Sequence, residues 1–282
     1  MAFYSAGERA LKYGLYLPNF AAFGEARALA ELAALAERAG WSGFFIWDHI
    51  ARPGAPPLVD PWIALTAIAL ASERLRIGAL VTPLARRRPW KVARETVSLD
   101  RLSAGRLVFG AGLGSAGGAE PEWAAFGEEG DLARRGAMLD EGLAVLAGLW
   151  SGERFRFAGT HFSVGDACFR PTAAQRPRIP VWIAAYWPNL RPLRRAAAWD
   201  GVFTLFRDGA PRDVEQLAEA VAYVRGRRAP EAGAFDVVYC GEPGVSPEPY
   251  ARAGATWWLA RVAPEATLDA TRALIAEGPP RP

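Results

Sequence analysis

Only two histidines, His49 and His161, occur in the 282-residue sequence, so imidazole chemistry has two places to reside. His49 and its neighbour Asp48 directly follow the apolar run Gly43–Trp47, where a strand would hand over to a loop. An imidazole titrates near neutrality and suits a general acid or base; at this position it could equally close the loop by hydrogen bonding. His161 stands beside Phe162 in a hairpin-like segment and reads as structural. The two cysteines, Cys168 and Cys240, are scattered and form no CxxC pair, so reduced thiols are expected. The acids make no HxH or HExxH grouping, and no metal centre is expected. No G-x-S-x-G elbow occurs, and Ser115 has no evident partner base. A cofactor is therefore expected to supply the reactivity.

Three further groups could hold a ligand. Gly110-Ala111-Gly112-Leu113-Gly114-Ser115 looks like a dinucleotide fingerprint, but serine occupies the third glycine position and no apolar helix begins there. Glycines at a strand end nonetheless let a flat ligand approach the backbone. Tyr186-Trp187-Pro188-Asn189 leads into a helix, where outward N–H groups gather anions. Arg191, Arg194 and Arg195 follow as anion contacts or as a solvated face, and Arg86-Arg87-Arg88 carries the same two readings. Trp47, Trp62, Trp123 and Trp187 could line an aromatic pocket, with core packing the commoner fate.

These side chains act together only if the fold converges them. Tyr13–Leu17, Gly43–Trp47, Leu75–Val81, Arg106–Gly110, Val181–Ala185, Gly201–Leu205, Phe235–Tyr239 and Thr256–Ala260 read as strands. Most precede segments of helical period: Glu25–Ala39 sets Leu29, Leu32, Ala33, Leu35 and Ala36 on one face, and Asp60-Pro61 is a helix start. Strands apolar at successive positions are buried on both faces, which makes the sheet parallel. Eight such units predict the α/β class and a (β/α)₈ TIM barrel, with a doubly wound sheet as the alternative. One domain over residues 1–282 is expected, with an insertion after strand four. That insertion covers residues 111–179 at the C-terminal face, with a helix Asp131–Trp150 and a hairpin of Phe155–Phe157 with His161–Val164. Barrel sites lie at the C-terminal strand ends, here Asn19, Asp48-His49, Thr82, Gly110–Ser115, Ala185–Asn189, Phe206-Arg207, Cys240–Glu242 and Arg261.

Composition narrows the partners. Hydrophobic residues are 51% and charged residues 22%, enough for a core and without a disorder signature. Of 33 basic residues only Lys12 and Lys91 are lysines, and 30 acids are interspersed, giving a net charge of +3. No concentrated basic face is visible, so nucleic acid is not an expected partner. Met1–Leu11 lacks an apolar signal core, and Trp62–Ala71 is about half a membrane span. A cytoplasmic protein with no membrane partner is expected.

Longer motifs carry a resemblance. Arg88-Pro89-Trp90-Lys91-Val92-Ala93-Arg94-Glu95, then Leu99-Asp100-Arg101-Leu102-Ser103-Ala104-Gly105-Arg106-Leu107, then Gly110-Ala111-Gly112, are similar to the bacterial luciferase-like flavin-dependent oxidoreductases and monooxygenases. Trp47-Asp48-His49, Arg178–Ile183 and Ala198-Trp199-Asp200-Gly201 follow that family in the same order. The resemblance is good over roughly Tyr13 to Leu205 and loose beyond. It implies a (β/α)₈ barrel that holds FMN or the 5-deazaflavin coenzyme F420 at its C-terminal mouth. By resemblance, Leu80-Val81-Thr82 would lie against the ring, where the family often has a non-prolyl cis peptide. Gly110-Ala111-Gly112 would line the ring or ribityl chain, and Ala184, Ala185, Tyr186, Trp187, Pro188 and Asn189 the phosphate. Asn19 joins the cofactor-binding set as a strand-end residue. Asp48 and His49 match a pair that contacts the cofactor and serves proton transfer. Leu113 and Gly114 stand where some deazaflavin dehydrogenases carry a catalytic glutamate, which argues against a sugar-phosphate dehydrogenase mechanism. The implied activity is hydride transfer or O₂ activation on a small organic substrate, in a homodimer. A non-catalytic flavin-binding paralogue and a cofactor-free barrel enzyme for a phosphorylated substrate are the alternatives.

Overall fold

Apolar runs such as Gly-Phe-Phe-Ile at residues 43–46, buried at every position, can only lie between two layers, and they set the architecture. The computed structural model describes residues 10–114, 121–206, 214–229 and 231–280. Strands β1 (Lys12–Leu17), β2 (Gly43–Ile46), β3 (Arg76–Ala79), β4 (Thr82–Pro83) and β5 (Phe109–Gly112) come first. A separate antiparallel hairpin of β6 (Phe155–Ala158) and β7 (Ser163–Ala167) follows. Then come β8 (Val181–Tyr186), β9 (Gly201–Leu205), β10 (Asp236–Gly241) and β11 (Trp257–Arg261). The main sheet runs β3-β2-β1-β11-β10-β9-β8-β5-β4, with every pairing parallel. A bridge between Ile77 and Leu107 joins its two ends. β3 and β4 are one barrel strand interrupted at Leu80–Val81, a cis peptide bond. The ring is therefore the eight-stranded (β/α)₈ barrel that the periodicity predicts.

The helices are α1 (Ala26–Arg38), α2 (Pro61–Ala71), α3 (Pro89–Leu102), α4 (Pro121–Ala125), α5 (Leu132–Trp150), α6 (Leu190–Ala196), α7 (Val214–Arg225), α8 (Glu248–Arg252) and α9 (Leu268–Ala276). Asp60 caps α2 by accepting from the Trp62 and Ile63 amides at 2.9 and 3.1 Å, with Pro61 as its first residue. Among the described residues no helix is long and apolar enough to cross a membrane.

Two cores result. The outer one lies between sheet and helices. The inner one fills the barrel with Phe45, Trp182 and Trp257, whose rings meet at 5.3, 5.8 and 5.5 Å, together with Val108, Val238 and Leu259. Trp182 and Trp257 stand at the second and first positions of β8 and β11, toward the N-terminal end of the barrel.

Four details differ from the sequence reading. Strand four is shifted to Phe109–Gly112, because the Ile77–Leu107 bridge takes the preceding residues. The second hairpin strand starts at Ser163, since the backbone amides of residues 160–162 point at the Glu141 carboxylate instead. The short helix α4 was not foreseen. Finally, α5 is less an insertion than the barrel's own fourth helix: Leu139, Leu143 and Leu146 share the outer core with Val92 and Ala93 of α3, and Trp150 Nε1 donates to Thr96 Oγ1 at 2.9 Å.

Candidate active site

The C-terminal ends of the strands open into a cavity of about 1230 Å³, larger than a typical small-ligand pocket. Tyr16, Leu80, Val81, Phe203 and Cys240 line it from the barrel side, directly above the aromatic plug. The Tyr16 hydroxyl donates to the Leu80 carbonyl at 2.6 Å. Burial, with Cys240 and Tyr186 nearby, pushes this phenol well above its ordinary range, against a smaller opposing pull from Arg261. It stays a neutral donor, and its hydrogen bond fixes the cis segment at Leu80–Val81 in place.

One wall is a buried charge network. His49 Nδ1 lies 3.3 Å from both carboxylate oxygens of Glu122, whose side chain is only 4% exposed. Arg86 Nη1 donates to Glu122 Oε1 at 2.7 Å, and the Ile50 and Ala51 amides donate to Oε2 at 3.2 and 3.3 Å. Arg86 Nη2 donates to the Asp48 carboxylate at 2.9 Å and to its carbonyl at 2.6 Å. Arg87 Nη2 closes on both Asp48 oxygens at 2.7 and 3.0 Å. Burial raises the Glu122 carboxyl, but the hydrogen bonds from His49 and Arg86 and the guanidinium charge outweigh it and bring its pKa to about 2. Trp123, next on α4, lies under Arg135 at 3.4 Å and beside Arg86 at 5.7 Å, which pins the helix. Gly114 makes room for that ring: its φ is +80°, and a Cβ there would stand 2.4 Å from Trp123 Cζ2.

Of the residues singled out from sequence, Asp48, His49, Leu80, Val81, Gly112, Ala184, Tyr186 and Asn189 line this cavity. Asn19, Thr82, Gly110, Ala111, Ala185, Trp187 and Pro188 are not among the lining residues. Asn19 is fully buried. Its Nδ2 donates to the His49 and Val59 carbonyls at 2.9 and 2.8 Å and its Oδ1 accepts from the His49 amide at 3.3 Å, so it shapes the His49 loop. Gly110 answers to strand packing, since a Cβ there would lie 2.2 Å from the Ala79 carbonyl oxygen. Ala111 and Ala185 belong to the outer core. Thr82 is buried against β5, and Trp187–Pro188 is one of three X-Pro cis bonds among the described residues. Ser115 and Arg207 lie outside the described residues.

The arginines sort differently from their sequence reading. Arg86 and Arg87 turn inward onto Asp48 and Glu122 and are not rim anion contacts. Arg195 is tied to Asp140 at 2.5 and 2.9 Å. That leaves exposed Arg191 as the lining cation at the α6 end, where Asn189 caps the helix by accepting from the Arg191 amide. Of the tryptophans, Trp47 alone of the four lines the cavity, 5.7 Å from Tyr16 and 5.8 Å from His49. Glu122 is the residue that sequence reasoning missed. It sits 73 positions from His49 on a five-residue helix with no readable period. Among the described residues no group of His, Cys, Asp and Glu could hold a metal ion.

An apolar floor of Leu80, Val81, Ala184 and Phe203, the Arg191 cation beside the Asn189 amide, and the His49 imidazole line one cavity and fit a flat ring with an anionic tail. Comparison with known proteins agrees. A sequence profile of the family described as luciferase-like monooxygenase matches residues 11–274. An F420-dependent glucose-6-phosphate dehydrogenase of Beutenbergia cavernae is 32% identical over 207 residues, 70% of this chain and 57% of the relative. The chain thus spans a little over half the length of that curated relative. The coenzyme F420-dependent tetrahydromethanopterin reductase of Methanopyrus kandleri superposes with a TM-score of 0.74 at 15% identity, covering 95% of this chain and 98% of that one. A monooxygenase from Streptomyces bottropensis gives 0.72 at 19%, covering 94% and 96%. At these identities the two structures speak for the barrel alone.

Proposed function

We propose, from the premise that the chain belongs to the luciferase-like monooxygenase family, that it is an oxidoreductase holding a flavin-type cofactor in the barrel mouth. The deazaflavin F420 is favoured over FMN, in keeping with the curated relative. The observation that carries the reading is that the His49–Glu122 pair and the apolar Leu80 and Val81 side chains line one cavity at the C-terminal strand ends. When bound, the cofactor supplies the hydride acceptor or donor. The chain's own residues do the rest. Leu80, Val81, Ala184 and Phe203 orient a flat ring and exclude water from it. Asn189 and Arg191 hold an anionic tail. His49 moves the proton that accompanies hydride transfer to or from a small organic substrate. Asp48, neutralised by Arg86 and Arg87, fixes the loop that presents His49.

A homodimer in the cytoplasm is part of this reading. Ile63 and Leu70, 62% and 70% exposed and two turns apart on α2, offer an apolar face for a second copy.

Titrating the protein with F420 and with FMN while following visible absorption tests the assignment. A saturable spectral change with F420 supports it, and saturation with FMN alone moves the reading to FMN chemistry. No change with either leaves the cofactor-free barrel enzyme. Reduced cofactor whose reoxidation no candidate substrate accelerates would indicate the non-catalytic paralogue.

A further inference from the structure

Among the described residues, every hydrogen-bonding neighbour of the Glu122 carboxylate apart from His49 is an obligate donor: the Arg86 guanidinium and the Ile50 and Ala51 amides. A carboxylate in such surroundings only accepts, so the imidazole nitrogen 3.3 Å from both of its oxygens must be the donor. We propose that Glu122 is a positioning residue that holds the His49 proton on Nδ1 and so commits Nε2 to proton exchange in the cavity. The proposal rests on the reading that His49 serves the cavity's chemistry, and it adds to that reading which nitrogen does so.

The arrangement also explains why three chain segments meet here. α4 brings the carboxylate, the loop after β2 brings the imidazole and the two amides, and the turn after β4 brings Arg86. The guanidinium also reaches Asp48, so rotation of Glu122 would cost contacts on both sides of the network. A glutamine at position 122 would have to turn an NH₂ toward one of these donors, losing the charge and one acceptor together.

Because the chain has only two histidines, the test is direct. ¹⁵N–¹H correlation spectra of cofactor-free protein, at a pH where imidazole is neutral, report the tautomer of each ring, and His161→Gln assigns the two sets. The expected result for His49 is a protonated Nδ1 and a bare Nε2, with this form exceeding the other about tenfold or more. In Glu122→Gln that ratio falls by about tenfold or more, and turnover drops by up to the 10²- to 10⁴-fold that a positioned acid–base group supplies. A wild-type His49 protonated mainly on Nε2 overturns the proposal. So does a folded Glu122→Gln variant with an unchanged tautomer ratio. If that variant does not fold, the wild-type spectrum alone decides. Failure of the cofactor titration would sink the proposed function and leave this result standing; the reverse tautomer would do the opposite.

Discussion

At the scale of single residues, His49 and Glu122 make separable predictions. On the proposed reading, in which His49 moves a proton and the floor is made by other side chains, His49→Ala should cost about 10²- to 10⁴-fold in turnover while F420 still saturates the visible spectrum. Unchanged turnover with bound cofactor would remove it from the chemistry. Glu122 makes a prediction about pH. Its carboxyl lies below its ordinary value, at about 2 in the folded state, so its stabilising contribution is fully present above the unfolded value and is lost as pH falls from about 4.5 toward 2. The difference in Tm between wild type and Glu122→Gln should therefore shrink over that window. At neutral pH the contribution is on the order of 3 kcal/mol; a constant difference across the window would refute it. His49 was readable from sequence because imidazole is scarce and this one follows a strand. Glu122 was not, because nothing local distinguishes it among 30 acids.

At the scale of elements, sequence legibility followed the strength of local physics. The Asp60-Pro61 helix start survives in the structure as a capped α2, and Asp60→Ala should lower stability by about 1 kcal/mol, measurable by denaturant unfolding. The stretch from Leu99 to Arg106, the most distinctive part of the resemblance, proves to be scaffold. Asp100 Oδ2 accepts from the Ala174 and Gln175 amides at 2.8 and 3.1 Å. Buried Arg106 caps the end of α2 by donating to the Ala69 and Ser72 carbonyls, both at 2.8 Å. The elements that escaped were those set by distant partners. α4 is one turn of helix held by Arg135 and Arg86. The break in the third strand was legible only through the resemblance, which implies a cis peptide at Leu80-Val81-Thr82; the Tyr16 hydroxyl meets the Leu80 carbonyl there from 64 residues away. Neither leaves a periodic trace.

At the scale of the whole molecule, the barrel was legible because eight doubly buried runs admit few other arrangements, and family membership rests on motifs spread along the chain. What remained hidden was how the inner core is partitioned. Trp182→Ala, removing a side chain packed on Phe45 and Trp257, should destabilise the fold by about 3–5 kcal/mol. Thermal unfolding would check this, and a change under 1 kcal/mol would mean that the plug is loosely packed.

That plug also governs traffic. The cavity lies above Phe45, Trp182 and Trp257, so on the proposed reading whatever lodges deepest arrives first and departs last. If a cofactor ring lies on Leu80 and Val81, as proposed, the smaller reactant comes and goes above it. Steady-state kinetics should then obey an ordered sequence in which the product leaves while the coenzyme is still in place, and each turnover finds the floor already laid.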